Sequence, residues 1–201
     1  MDYRANIMEK IKKEDLYSLE EYSAMRPEYR VKMMEHKKSR VLRLGEHATL
    51  HFEDRILMQY QIQEMLRAEK IFDAEGIQEE IDAYNPLIPD GKNWKATFML
   101  EYDDEVIRKQ RLSELIGIEY RVWVAVDGFE KVYPICNEDL ERETDDKTSS
   151  VHFLRFELSS EMIAALKEGA SISAGIDHDR YSVTVNTLSA SMRDSLTHDL
   201  D

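Results

Sequence analysis

The sequence predicts an α+β domain: a mainly antiparallel sheet of six to eight strands, with N-terminal helices and a long helix after the first hairpin packed on it. Three observations carry that expectation. Helical spacing in the first forty residues gives way at Val41 to alternation of apolar and polar side chains. Turn residues at Gly45 and at Asp127-Gly128 join alternating runs, as short connections between antiparallel neighbours do. Directly after the first hairpin, Met58, Ile62, Met65 and Phe72 recur at the spacing of one buried helical stripe.

Asp15 precedes an amphipathic helix with Leu16, Leu19 and Tyr22, and Pro27 is placed to open a second helix running to about Lys38. The hairpin that follows puts Leu50 and Phe52 on one side and His51 and Glu53 on the other, with Arg43 expected across from them. Asp54 is suited to cap the long helix. Ile77, Ile81 and Tyr84 outline a short helix that ends before Pro86. Trp94, Ala96, Phe98 and Leu100 share one strand face, and a helix with Leu112 and Leu115 closes at Gly117. Val122, Val124 and Val126 lead to Asp127-Gly128, whose return strand carries Pro134 and so belongs at a sheet edge. Residues 138–150 read as a short helix and a loop, 151–158 as a strand, and Ser159 or Ser160 as the start of a helix stopped by Gly169. A last hairpin turns at residues 177–180. One domain over 1–185 is expected, with 186–201 a flexible tail or frayed helix, because those residues are small, polar and weakly periodic.

Composition narrows the function classes. The chain has 201 residues, a net charge of -14 and one cysteine, Cys136, so no cysteine-ligated cluster is expected and any metal would need nitrogen and oxygen ligands. General nucleic-acid binding is disfavoured by the charge, and no apolar run approaches bilayer length, so a cytoplasmic protein without membrane association is expected. The charge is uneven: residues 1–43 hold 11 Lys+Arg against 8 Asp+Glu. Lys37, Lys38 and Arg40 sit in that basic segment, which is either a solvated helix face or a docking patch for an acidic partner.

No glycine-rich phosphate loop, Gly-x-Ser-x-Gly elbow, His-Glu-x-x-His pair or Cys-x-x-Cys is present. His51 and Glu53, two apart on one strand face, have the spacing of two ligands on one metal, and a cross-strand charge cluster explains them equally well. The helix after Asp54 is dense in polar groups, among them Gln59, Gln63, Glu64 and Arg67. His152 shares a strand face with Leu154 and Phe156, and Arg155 faces the other way. Convergence of Glu53, Arg55, Glu64, Arg67 and either His152 or Arg155 would make a polar pocket between that helix and the sheet. Cys136 has no cationic neighbour in sequence and reads as an inert thiol. His178 between two aspartates reads as a turn.

The strings Phe52-Glu53-Asp54-Arg55, Tyr60-Gln61-Ile62-Gln63-Glu64-Met65, Ala83-Tyr84-Asn85-Pro86-Leu87-Ile88-Pro89 and Lys147-Thr148-Ser149 with Val151-His152-Phe153-Leu154-Arg155-Phe156 resemble the uncharacterised bacterial family known as domain of unknown function 3501. The resemblance spans about residues 16–181 and implies no established activity. It implies a gene neighbourhood with a rubrerythrin-like protein and an iron-sulfur oxidoreductase, and hence redox or peroxide defence by association. Two expectations follow: an accessory or interaction protein serving that redox system, or a small metal-dependent or ligand-binding enzyme using the Glu/Arg/His pocket.

Overall fold

Ser18 begins the first helix, α1 (Leu19–Lys38): its hydroxyl accepts from the Glu21 amide and the Glu21 carboxylate accepts from the Ser18 amide, a reciprocal cap. The computed structural model describes residues 8–138 and 146–201. Pro27, expected to start a second helix, instead lies inside α1. It falls on the exposed side, where water can satisfy the Ser23 carbonyl that loses its partner. The buried stripe of α1 is unusual in bearing polar tips: Tyr22 and Met33 are buried, while Arg26, Tyr29, His36 and Lys37 are half-buried.

Strand β1 (Val41–Arg43) turns at Gly45, whose φ of +77° favours glycine, into β2 (Ala48–Phe52). The register sets Arg43 opposite Thr49 and Val41 opposite His51, so Arg43 does not face His51 and Glu53 as expected. Asp54 caps α2 (Arg55–Glu69) through the Leu57 amide, and Asp73 caps α3 (Ala74–Tyr84). Helices α2 and α3, with Ile11 and Ile88, close a small core around Leu57, Ile62, Leu66 and Ile81. Phe72, expected in the stripe of α2, lies beyond its end and is exposed.

The described strands form two antiparallel sheets, correcting the expectation of one continuous sheet. The first has the order β1-β2-β3-β6-β5, with β3 (Asn93–Leu100), β5 (Ile135–Cys136) and β6 (Val151–Glu157). The second has the order β4-β7-β8, with β4 (Val122–Val126), β7 (Ile172–His178) and β8 (Tyr181–Val185). The turn at Asp127-Gly128 explains the split. Among the described residues a single isolated bridge, Val124 to Val132, joins the two sides of it. Pro134 then offers no amide to a ladder, and Ile135 and Cys136 pair with Arg155 and Leu154 at the edge of the first sheet. Strand β4 pairs with β7 instead.

Inward side chains of both sheets share one core: Leu50, Phe52, Trp94, Phe98, Leu154 and Phe156 from the first, Val122, Val124, Ala174 and Ile176 from the second. Helices α4 (Glu105–Glu114) and α5 (Ser160–Lys167) add Leu112, Ile163 and Leu166 to it. Residues 186–201 are not a tail. Ser189 caps α6 (Ala190–Thr197), and Leu188, Met192, Leu196 and Leu200 enter the same core. Their apolar spacing is too short to stand out in the sequence, and burial decides the outcome. The short helix expected within 138–150 falls largely outside the described residues. Among the described residues no helix is long and apolar enough to cross a membrane.

On the outer face of the second sheet the Trp123 ring lies across Gly175, its directly paired residue, with Lys131 Nζ 4.1 Å from the ring centroid. A methyl group at position 175 would stand 2.5 Å from the Trp123 ring and 2.4 Å from the Val183 carbonyl oxygen. Gly175→Ala should therefore lower unfolding stability by about 1–3 kcal/mol in urea titration, the usual cost of overpacking. A variant as stable as the parent would show that the contact is not close.

Candidate functional site

Arg40 follows α1 and precedes β1, and only 2% of it is exposed. Its Nε donates to Phe52 O at 3.0 Å, and Nη2 donates to Glu53 O at 3.0 Å. Nη1 reaches Ser195 O at 3.3 Å and Ser195 Oγ at 3.1 Å, and both terminal nitrogens bond the Asp199 carboxylate. Asp54 Oδ2 lies 3.2 Å from Nε and also accepts from His36 Nε2 at 2.6 Å. A buried guanidinium is tolerable only with compensating charge and a full set of acceptors, and Arg40 has both.

The two carboxylates sharing Arg40 respond differently. Burial alone would raise Asp54, but Arg40, His36 and the Leu57 amide together hold it below its ordinary value. Burial pushes Asp199 up to about 6, with the Asp54 charge adding to it and Arg40 opposing. For Arg40, burial works against the cation, while Asp199 and Asp54 more than restore it.

Glu53 belongs to the same junction, with its side chain on the outer face of the first sheet, where Thr97 Oγ1 donates to Oε1 at 2.7 Å. Burial first, and then the Asp54 charge, raise its carboxyl to about 7, against the pull of Thr97, Arg40 and Lys37. On the same face His51 Nε2 is 3.2 Å from Thr49 Oγ1, which in turn donates to Glu101 at 3.1 Å. Burial and Lys37 lower the His51 pKa, with Glu101 opposing. His51 and Glu53 therefore serve different hydroxyls, and among the described residues no group of three or more His, Cys, Asp or Glu is placed to hold a metal.

A second buried polar cluster surrounds His152, on the core face of β6. His152 and Glu119 are both fully buried, with Nδ1 3.3 Å from Glu119 Oε1. Thr148 Oγ1 and Ser149 O lie 2.9 and 3.0 Å from His152 Nε2. Asn137, at a φ of +53° that asparagine tolerates, donates to Glu119 at 3.3 Å. The Cys136 thiol donates to Glu119 O at 3.4 Å, and burial, followed by Glu119 and Glu138, pushes it up to about 12. At that value it stays protonated and is no nucleophile near neutral pH.

The six residues expected to converge do not share one pocket. Arg55 turns back to Glu9 O and the Asp15 carboxylate, and Glu64 is bonded by Arg26 and Tyr22. Arg67 is exposed. Arg155 pairs with Glu138 and Glu157 on the outer sheet face, and His152 finds Glu119 on the other side of the sheet from Glu53. The apolar face of β6 meets the second sheet, not α2, which is why the carboxylate beside His152 comes from the 3-10 turn Ile118–Arg121. The surface patch of Lys37, Lys38 and Arg40 also changes. Arg40 is interior, Lys37 lies 5.7 Å from the Tyr60 ring centroid, and Lys38 pairs with Glu35 at 2.5 Å.

Sequence reasoning passed over His36, Glu119, Asn137 and Asp199. A lone buried carboxylate in a short turn has no periodic signature. Asp54 and Arg40 were visible only as a helix cap and a surface cation.

The chain belongs to the family described as Protein of unknown function (DUF3501), which matches residues 10–200. That span includes Asp199 and α6. A crystal structure of a novel protein of unknown function from Burkholderia pseudomallei K96243 matches with a TM-score of 0.91 at 47% identity, covering 96% of this chain and 100% of that one. No curated protein matches the chain.

The Glu53 carboxyl yields a signed pH dependence. Its folded-state pKa is raised from 4.5 to about 7, so the protonated form contributes stability that is full below pH 4.5 and lost as pH rises through 7. Glu53→Gln keeps the neutral shape and cannot ionise. The variant should match the parent near pH 4.5 and exceed it by up to about 3 kcal/mol at pH 8, read from unfolding curves at both pH values. Equal pH profiles would place the Glu53 carboxylate in ordinary solvent.

Proposed function

We propose that the protein is an accessory protein of a bacterial redox or peroxide-defence system that docks an acidic partner protein along α1. The observation that carries this reading is the exposed side of that helix. Ala24, Pro27, Val31 and Met34 are exposed at alternating spacings of three and four residues, and Val31 is 70% exposed. Apolar side chains in that order form a seam suited to a partner surface. Arg30 and Lys38 border the seam together with Glu28 and with Glu35, which pairs with Lys38, and residues 1–43 hold 11 Lys+Arg against 8 Asp+Glu, an excess that favours an acidic partner surface. The link to redox chemistry rests on the gene neighbourhood that the family resemblance implies, in which a rubrerythrin-like protein and an iron-sulfur oxidoreductase are the partners to try. A second reading, a ligand-binding enzyme, draws support from Glu53 alone, because a carboxyl near 7 is in the range of a general base.

The test is calorimetric titration with each neighbouring gene product at low and raised salt. Val31→Asp together with Arg30→Glu and Lys38→Glu should weaken binding at least tenfold, and raised salt should weaken binding of the parent. Arg40 is left untouched because its loss would act through the fold. Unchanged affinity in the triple variant, or no binding of the parent to either protein, would contradict the proposal.

A further inference from the structure

A cleft of about 460 Å³ opens at one end of the second sheet, lined by Ile116, Gly117, Tyr120, Arg121, His178 and Asp179. It shares no residue with the exposed seam of α1. Its walls are held in place by the fold. Val122 pairs with Ile176 and Tyr181 with His178, so Arg121 and the β7–β8 turn sit at the same sheet end. His178 locks the two walls together: Nε2 donates to Ile116 O at 3.2 Å, and Nδ1 accepts the Arg180 amide at 3.2 Å. With both nitrogens engaged the imidazole serves as a wall. Gly117, at a φ of +79°, makes the turn that leads into the 3-10 segment Ile118–Arg121.

Arg121 and Asp179 make the chemistry of this cleft distinctive. Arg121 comes from the 3-10 turn Ile118–Arg121 and Asp179 from the turn between β7 and β8, and among the described residues neither is in an ion pair. A guanidinium fork recognises a carboxylate through two parallel hydrogen bonds, and an aspartate accepts from an ammonium group. Ile116 and the ring of Tyr120, which is 52% exposed, supply an apolar wall for the rest of a ligand. The volume is within the range of small-molecule sites.

We propose that this cleft binds a small zwitterion of the amino-acid class, its carboxylate on Arg121, its ammonium on Asp179 and its side chain against Ile116 and Tyr120. The nitrogen-15 amide spectrum of the full chain tests it, titrated separately with L-leucine, glycine, acetate, inorganic phosphate and methylammonium. L-Leucine should give saturable shifts centred on residues 116–121 and 178–179, with glycine weaker for want of a side chain and the singly charged probes weaker by at least tenfold. Arg121→Ala and Asp179→Ala, both exposed positions whose folding is checked by the unaltered remainder of the spectrum, should each lower L-leucine affinity at least tenfold. Acetate or phosphate binding as tightly as L-leucine would replace the zwitterion by a simple anion and overturn the proposal. Absence of saturable shifts at these residues, or variants that bind like the parent, would overturn it as well.

Discussion

Arg40 is the constraint on which the arrangement of the chain depends. Its guanidinium reaches backbone carbonyls at the end of β2, the cap of α2 and the end of α6, segments far apart in sequence. An apolar residue could fill the space, but it would leave the Phe52 and Glu53 carbonyls and the Asp199 carboxylate without this donor, and Asp54 without the guanidinium charge. Removing one partner from a buried pair costs about 3–5 kcal/mol, a large part of what a domain of this size has in hand. The same charge helps hold Asp54 below its ordinary value and opposes the burial that raises Asp199 and Glu53.

The second polar cluster does for the two sheets what Arg40 does for the helices. His152 on the first sheet and Glu119 before the second meet in the interior, with Asn137 and Thr148 completing the contacts. Because both clusters are sealed inside, they hold surfaces in place, and the two surfaces proposed for recognition, the seam of α1 and the cleft beside Arg121, lie outside them. This division explains how a chain so rich in charged and polar side chains presents no familiar catalytic constellation.

Much of the fold was legible in the sequence because local physics produced it. The caps Asp54 and Ser159, the turn at Gly45, the strand faces of β3 and β6 and the stop at Gly169 all lie where residue chemistry puts them. What escaped was non-local. The departure of the chain after Val132 to another sheet depends on β7, which follows it by about forty residues. The tail folds because Leu188, Met192 and Leu196 find an apolar surface that no neighbouring residue announces. The site was read by the same local logic and suffered more from it. Glu53, Arg55, Glu64 and Arg67 are close in sequence, yet each is claimed by a partner or by solvent on a different side, and Arg40 counted as a surface cation because its two aspartates lie 14 and 159 residues away.

A double-mutant cycle across the junction tests the central role of Arg40 most directly. Arg40→Lys keeps the charge and loses the fork, Asp199→Asn keeps the shape and loses the charge, and urea unfolding of the parent, both singles and the double gives their coupling. The account predicts that each single costs about 1–3 kcal/mol and that the double is more stable than the sum by more than about 1 kcal/mol, since both changes break one contact. Additivity within about 0.5 kcal/mol would mean that Arg40 and Asp199 act independently, and that α6 is held by its apolar side chains alone.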